Sequence, residues 1–393
     1  MSCSARVDWG NYTHEACVLI KEKRLRRSFE HSPHGLHELV TWFRSVAPQD
    51  LTVAIEVPHG PVVEALQAGG FAVFSINPKQ LDRFRDRRSV AGAKDDRLDA
   101  LVLADALRTD LERFTPVPPP DAFTTELRAA SRLYESLTGE LRANANQLWQ
   151  RLMLSAPHLL ALCPGADERW FWDLLERFFR PGPGPRREWV VRLLKRHRKK
   201  LSADDVLAAL RAPGLELPAS QEVTPFYAQT LLPVLRVLAD QRDLVRARLA
   251  TLLPEAGETG AILDSQPGID VVIATTLLAE ASHALRTADE AALRTLSGTA
   301  PVTRRSGKSH HVGMRRACNL RLRNAVRNWA KTAIRCEPRS RALYDALRER
   351  GQHYERALRG LADRLIHRLI ACLRDAKRYD PARWNAPRAV SGP

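Results

Sequence analysis

The sequence predicts an α/β domain at the N-terminal side followed by a mainly α remainder, and three observations carry that expectation. Short apolar or alternating runs recur between helix-spaced stretches as far as residue 107. A proline cluster, Pro116-Val117-Pro118-Pro119-Pro120, then marks a boundary. Beyond it, leucines repeat at helical spacing over long stretches.

Residues 5–8, 16–20 and 25–29 read as three successive strands, 35–47 as a helix, 51–56 as a strand and 60–69 as a helix. A strand at 71–76 and a helix over Lys94–Leu107 follow. Strands alternating with helices imply a sheet with covered faces. Asp8 lies in the first apolar run, Glu56 ends another, and Asp96 and Asp99 sit three residues apart on the late helix. Carboxylates three apart share a helix face, so distant pieces of chain can build one oxygen-rich pocket. Such a pocket repels itself unless a cation fills it. Mg²⁺, a hard ion that keeps water positions open for phosphates, is the expected occupant, with Mn²⁺ as a substitute. Acidic residues meeting at one sheet edge form the ribonuclease-H-like arrangement. Singly they mean little, since Asp8 suits a turn, Glu56 a surface position before Pro58, and Asp95-Asp96 a helix cap.

After the prolines, Leu133, Leu137, Leu141, Ala145, Leu148 and Leu152 line one helical face. Leu231, Leu235, Leu238, Arg242, Val245, Leu249 and Leu252 alternate steps of four and three, which is heptad spacing. Two long helices packed as a coiled-coil hairpin, or paired with another subunit, would bury these stripes. Between them an irregular segment holds Arg180-Pro-Gly-Pro-Gly-Pro185 and a basic run from Arg186 to Lys200 containing Trp189. That run suits either phosphate contact or a solvated loop with a short helix. Gln266-Pro-Gly-Ile269 before Val271–Ala281 has the form of a helix-hairpin-helix turn, which can hold a phosphate at a helix start, or else is a plain helix N-terminus. A basic helix is expected over Arg315–Arg335. The expected domains are 1–115, 121–258 with an insertion around 165–218, and 259–385.

The net charge is +16, and the residues from 301 onward carry 23 Lys/Arg against 7 Asp/Glu, so the whole excess lies in the last quarter. A basic surface of that density attracts a polyanion by counterion release, which makes nucleic acid the leading partner. The alternative is a solvated arginine-rich surface. Six scattered cysteines without a C-x-x-C fit a reducing, cytoplasmic compartment. No apolar run is long enough to cross a bilayer, so no membrane partner is expected.

Ser306 is the second chemical candidate. Arg304, Arg305 and Lys308 surround its hydroxyl with cations, and Gly307 lets a backbone approach closely. In isolation a serine before glycine in a basic loop is usually a turn. His31, His34 and His37 recur every three residues without a cysteine to complete a zinc set, a weak metal signal. Asp8-Trp9-Gly10 with Thr13 suggests the phosphate turn of sugar kinases, but the second glycine-rich acidic turn those folds need is missing.

Val7-Asp-Trp-Gly-Asn-Tyr-Thr-His14, Ala54-Ile-Glu-Val57, Lys94-Asp-Asp-Arg-Leu-Asp-Ala100, Gln266-Pro-Gly-Ile269, Thr276-Leu-Leu-Ala-Glu280 and Arg305-Ser-Gly307 together resemble the DEDD transposases of bacterial insertion sequences. The resemblance covers nearly the whole chain. It implies a RuvC-like N-terminal domain, a coiled-coil hairpin and a helical C-terminal transposase domain. By it, Asp8, Glu56, Asp96 and Asp99 match the metal ligands, and Ser306 matches the serine that joins DNA covalently. Arg304, Arg305, Lys308, Arg315 and Arg316 are expected to contact nucleic acid. The resemblance further implies double-stranded donor and target DNA, a structured bridge RNA, and a homo-oligomer built as a dimer of dimers in the bacterial cytoplasm at the nucleoid. Because carboxylates and serine fall in different domains, the site is expected to assemble between subunits. Asp270, Thr299 and Cys318 depart from the family pattern, and Asp270, where the family usually has a second glycine, weakens the phosphate binding expected at the Pro-Gly turn.

Two other function classes fit the same residues. A metal-dependent junction nuclease would use water and leave no covalent link, and a non-catalytic nucleic-acid-binding protein would be indifferent to loss of the carboxylates.

Overall fold

The computed structural model describes residues 3–8, 10–20, 23–47, 51–55, 60–75, 107, 110–111, 114–119, 121–213, 223–306 and 309–382. The chain divides into two compact units, Met1–Asp121 and Ala122–Pro393.

The first unit holds β1 (Cys3–Asp8), β2 (Thr13–Ile20), β3 (Lys23–Glu30), α1 (Pro33–Val46), β4 (Leu51–Ile55), α2 (Pro61–Ala68), β5 (Ala72–Ser75) and β6 (Thr115–Pro116). Its strand order is β3-β2-β1-β4-β5-β6. The first three strands pair antiparallel, whereas β4 and β5 run parallel to β1, reached through helical crossovers. Central position makes β1 and β4 apolar, with Ala5, Val7, Val53 and Ile55 wholly buried. Leu39 and Phe43 of α1 and Val62, Val63 and Leu66 of α2 cover them. Each helix has a local start: the Ser32 hydroxyl accepts from Gly35 N–H at 3.1 Å, and Pro33 and Pro61 occupy first turns. The expected elements up to residue 76 are present with small shifts at their ends. The helix expected over Lys94–Leu107 lies outside the described residues except for Leu107, which is buried. Pro116 sits on the antiparallel edge strand β6, where a missing donor is tolerated, and Val117 N–H donates to Val73 O at 2.8 Å.

The second unit is helical apart from one hairpin. It runs α3 (Ala122–Ser155), α4 (Arg169–Phe179), α5 (Arg187–Arg196), α6 (Ala203–Arg211), α7 (Val223–Leu252), α8 (Gly257–Asp264), α9 (Val271–Arg286), α10 (Glu290–Ser297), β7 (Val302–Ser306), β8 (Ser309–Gly313), α11 (Leu320–Cys336), α12 (Pro338–Glu349) and α13 (Tyr354–Arg374). Helices α3 and α7 pack along each other and connect two separate cores. At one end Leu127, Leu249 and Leu252 join α9, α11 and α13. At the other Leu141, Leu148, Leu152, Leu231 and Leu235 join α4, α5 and α6. Between the cores the predicted stripe thins out: Leu133 is 51% exposed, and Arg242 and Val245 are only partly covered.

Two expectations are corrected here. The segment between the long helices is not irregular, because Trp170, Phe171, Trp172, Leu174 and Leu175 give α4 an apolar face that is almost fully buried. The basic helix starts at Leu320 rather than Arg315, because the Asn319 side chain accepts from Arg321 N–H at 3.0 Å and Leu322 N–H at 3.1 Å.

Candidate active site

Asp8 ends β1 at the centre of the first sheet. Val7 pairs with Ile55, the last residue of β4, and Asp8 follows Val7 as the last residue of β1. The Asp8 carboxylate is 38% exposed and lies 3.4 Å from the guanidinium of Arg6, which the sheet buries. Residues two apart on a strand share a face, which places this buried cation beside the acid. Glu15 stands directly opposite Asp8 on β2. Facing carboxylates repel unless a cation lies between them. Glu15 is a neighbour the sequence reading did not single out, and its signal was the alternation of exposed and buried positions along β2. Carboxylate oxygen is the donor a hard cation takes, but among the described residues no group of three or more acidic, histidine or cysteine side chains gathers to hold one, and Arg6 is the cation beside Asp8. Glu56, Asp96 and Asp99 lie outside the described residues, as do Gly307 and Lys308.

The histidine triple does not form one site. His31 lies 2.8 Å from buried His14, Nδ1 to Nε2, while His34 approaches Glu38 at 3.9 Å. Burial, helped by His31, lowers the His14 imidazole below its ordinary range, which favours neutral His14.

Ser306 is the last residue of β7 and pairs with Ser309 of β8. Arg305 pairs with His310 and Arg304 with His311. The basic loop expected here is therefore largely a hairpin, in which β-branched Val302, Thr303 and Val312 favour extended backbone. Its flanks are fixed. Gly298 ends α10 at φ +73°, where a Cβ would meet Cys318 Sγ at 3.1 Å and Arg323 Nη2 at 3.2 Å. That Nη2 donates to the carbonyls of Arg315 at 2.7 Å and Arg316 at 3.3 Å. Beyond the hairpin, Asn319 Nδ2 donates to Glu280 Oε2 at 2.7 Å, and Arg132 Nε donates to Glu280 Oε1 at 2.9 Å. Burial pushes the Glu280 carboxyl up, but Arg132 and Asn319 outweigh it and hold it below the usual range. This clamp joins α3, α9 and the start of α11, the helix that follows the serine-bearing hairpin in the sequence. Only the presence of an acid within an apolar helix hinted at it, since a buried carboxylate needs partners.

The Gln266-Pro-Gly-Ile269 turn does join two helices, α8 and α9. Its helix start is already occupied, because the Asp270 carboxylate accepts from Ile273 N–H at 2.9 Å and lies 3.7 Å from Arg246. Trp329 Nε1 donates to Pro267 O at 2.9 Å, and a Cβ on Gly268 would meet Ala333 N at 2.5 Å. The turn is a packing element against α11, and the plain helix start is the better description of it.

A mixed sheet whose central strands β1 and β4 run parallel, and a mainly helical unit that carries the Ser306 hairpin, define an α/β-plus-α protein, and the sequence comparisons give its class. Residues 6–157 match the family model for DEDD transposases of the IS110 type, and residues 260–345 match that of the Transposase IS116/IS110/IS902 family. The chain belongs to this IS110 family of transposases. It is 30% identical over 402 residues to a mini-circle candidate transposase for IS117 of Streptomyces coelicolor, covering 97% of this chain and 96% of that one. It is 42% identical over 204 residues to y4uE, a candidate transposase of Sinorhizobium fredii, a stretch covering 50% of this chain and 57% of the relative. An uncharacterized protein of insertion element IS110 from Streptomyces coelicolor is 31% identical over 300 residues, 73% of this chain and 72% of the relative. Among the described residues no helix is long and apolar enough to cross a membrane.

Proposed function

We propose that this chain is a Mg²⁺-dependent recombinase that cuts and rejoins DNA through a phosphoserine intermediate, guided by a bridge RNA. The register that sets Val7, next to Asp8, against Ile55, the residue before Glu56 in the sequence, is the observation that most supports it. The order β3-β2-β1-β4-β5, with its parallel central strands, also suits a ribonuclease-H-like first domain. A coiled-coil hairpin and a C-terminal transposase domain complete the proposed organisation.

In the proposed reaction the Ser306 hydroxyl attacks a backbone phosphorus. A bond forms from Oγ to phosphorus, the bond to the 3′ oxygen breaks, and that oxygen leaves as a hydroxyl, taking up a proton. The 5′ end stays on the serine as a phosphodiester, so bond energy is kept for rejoining when another 3′ hydroxyl attacks and releases Oγ. Mg²⁺ held by Asp8, Glu56, Asp96 and Asp99 would supply charge that favours the alkoxide and the leaving oxygen. Arg304, Arg305 and Lys308 stabilise charge on the phosphate, and Arg315 and Arg316 add contacts to the strand. Double-stranded donor and target DNA, the RNA and a dimer of dimers complete the assembly.

The test is to trap protein on a DNA end in Mg²⁺. Ser306→Ala is expected to lose both adduct and cutting, and Asp8→Asn to lose cutting. Undiminished cutting by Ser306→Ala would instead favour the water-using nuclease, and cutting independent of metal and of Asp8 would remove the carboxylates from the chemistry. Adding RNA transcribed from the element's flanks, with loops complementary to the target, should raise recombination at that target alone.

A further inference from the structure

The core formed by α4, α5 and α6 opens into a cleft of about 560 Å³, within the range of about 300–1,000 Å³ typical of ligand sites. Two helical stripes line it. On α4 the spacing of Asp173 and Glu176/Arg177 keeps them on one face, with Arg180 at the extended cap just past the helix, and on α5 Trp189, Arg192 and Arg196 share a face. The carboxylates are already taken: Arg236 donates to Asp173 at 2.8 Å and to Glu176 at 2.6 Å, and His197 lies 3.0 Å from Asp173. Nearby cations of the same core are paired as well, Arg169 with Asp240 and Asp243, and Arg187 with Asp204. Arg177, Arg180, Arg192 and Arg196 have no acidic partner among the described residues and converge around the half-buried Trp189. Four guanidinium groups on one cleft repel one another until an anion enters.

We infer that this cleft binds a single-stranded nucleic acid, with the four arginines on successive phosphates and an unstacked base against Trp189. Guanidinium groups match phosphate oxygens in a planar fork, and an aromatic in a basic groove accepts any base by stacking. A duplex keeps its bases stacked internally and has none to offer Trp189, which favours a single strand. The inference stands apart from the carboxylate and serine chemistry, because neither residue set touches the other's test.

Fluorescence anisotropy with the full chain and labelled 15-mers of oligo(U), oligo(dT) and a DNA duplex tests it over a series of salt concentrations. Trp189→Ala is expected to weaken single-strand binding about 5- to 150-fold, the range of one base stack. Because Trp189 also packs on the core, Arg192→Gln/Arg196→Gln, at two exposed positions, serves as the second variant. It should flatten the slope of log affinity against log salt by about 1.4, at about 0.7 per phosphate contact. Crosslinks from 4-thiouridine oligomers should map to residues 187–196. Loss on oligo(U) alone assigns an RNA strand, and equal loss on oligo(dT) assigns phosphates and stacking without the 2′ hydroxyl. Wild-type affinity and slope in the arginine variant, or a loss confined to the duplex, overturns the inference.

Discussion

Replacing Arg368 by alanine should destabilise the second unit through one buried charge left behind. Arg368 on α13 and Glu337, which precedes α12, each have only 8% of the side chain exposed. Nη1 lies 2.7 Å and 2.9 Å from the two carboxylate oxygens, and Nε lies 3.2 Å from Gln266 Oε1. The guanidinium also stacks 4.4 Å from the centre of the Tyr379 ring. Its buried Nη2 has no hydrogen-bond partner among the described residues, so the pair has not recovered its full desolvation cost there. Stranding one member of a buried pair costs about 3–5 kcal/mol. The Ser340 and Tyr379 hydroxyls still donate to Glu337, and its place at a helix start favours negative charge, so the lower end, about 3 kcal/mol, is expected. At about 2–4 °C per kcal/mol this lowers Tm by about 6–12 °C, read by near-UV circular dichroism. Adding Glu337→Gln should return part of the loss by removing the stranded charge. A fall below about 2 °C for Arg368→Ala, or a further loss in the double variant, would show that the charge is solvated and the reasoning mistaken.

Three other outcomes follow from the same unit. Gly268→Ala combines a left-handed φ of +84° with a Cβ 2.5 Å from a backbone nitrogen, and should cost about 2–5 kcal/mol in urea denaturation. Glu280→Ala removes charge-assisted bonds to Arg132 and Asn319, about 1.5–3 kcal/mol, and should speed hydrogen exchange across 302–313 more than across α13. For pH, burial raises the Glu337 carboxyl, but Arg368, Ser340 and Tyr379 pull it below its ordinary 4.5, so its stability is present above that value and drains as pH falls below it. The Tyr379 phenol is pushed up to about 12 by burial and Glu337. Its contribution is intact below its ordinary value of 10.0 and lost as pH rises toward 12, a limb that Tyr379→Phe should abolish in urea titrations.

The sheet was readable from residue order because period-two apolar runs and short helical stripes are local signals. Val53 and Ile55 mark β4 by themselves, and Pro33 and Pro61 mark helix starts. The hairpin at Ser306 was less readable, since arginines and histidines hide the alternation that Val302 and Val312 supply only at its open end. Proline, glycine and basic residues masked α4 and α5 in the same way, until tryptophan burial revealed them.

Which charges are free, by contrast, was settled only by packing. Arg236 takes Asp173 and Glu176 from 60 or more residues away, which leaves four neighbouring arginines without acids among the described residues. Arg132 and Asn319 reach Glu280 from opposite sides of the sequence, and Asp270 fills the helix start that its Pro-Gly turn advertised. Sequence alone determined the family, the order of elements and the residue types available for phosphate chemistry, because those depend on neighbours within a few positions. Tertiary structure decided which of those groups are spent on holding the fold and which remain open to a ligand, because pairing is a matter of distance in space.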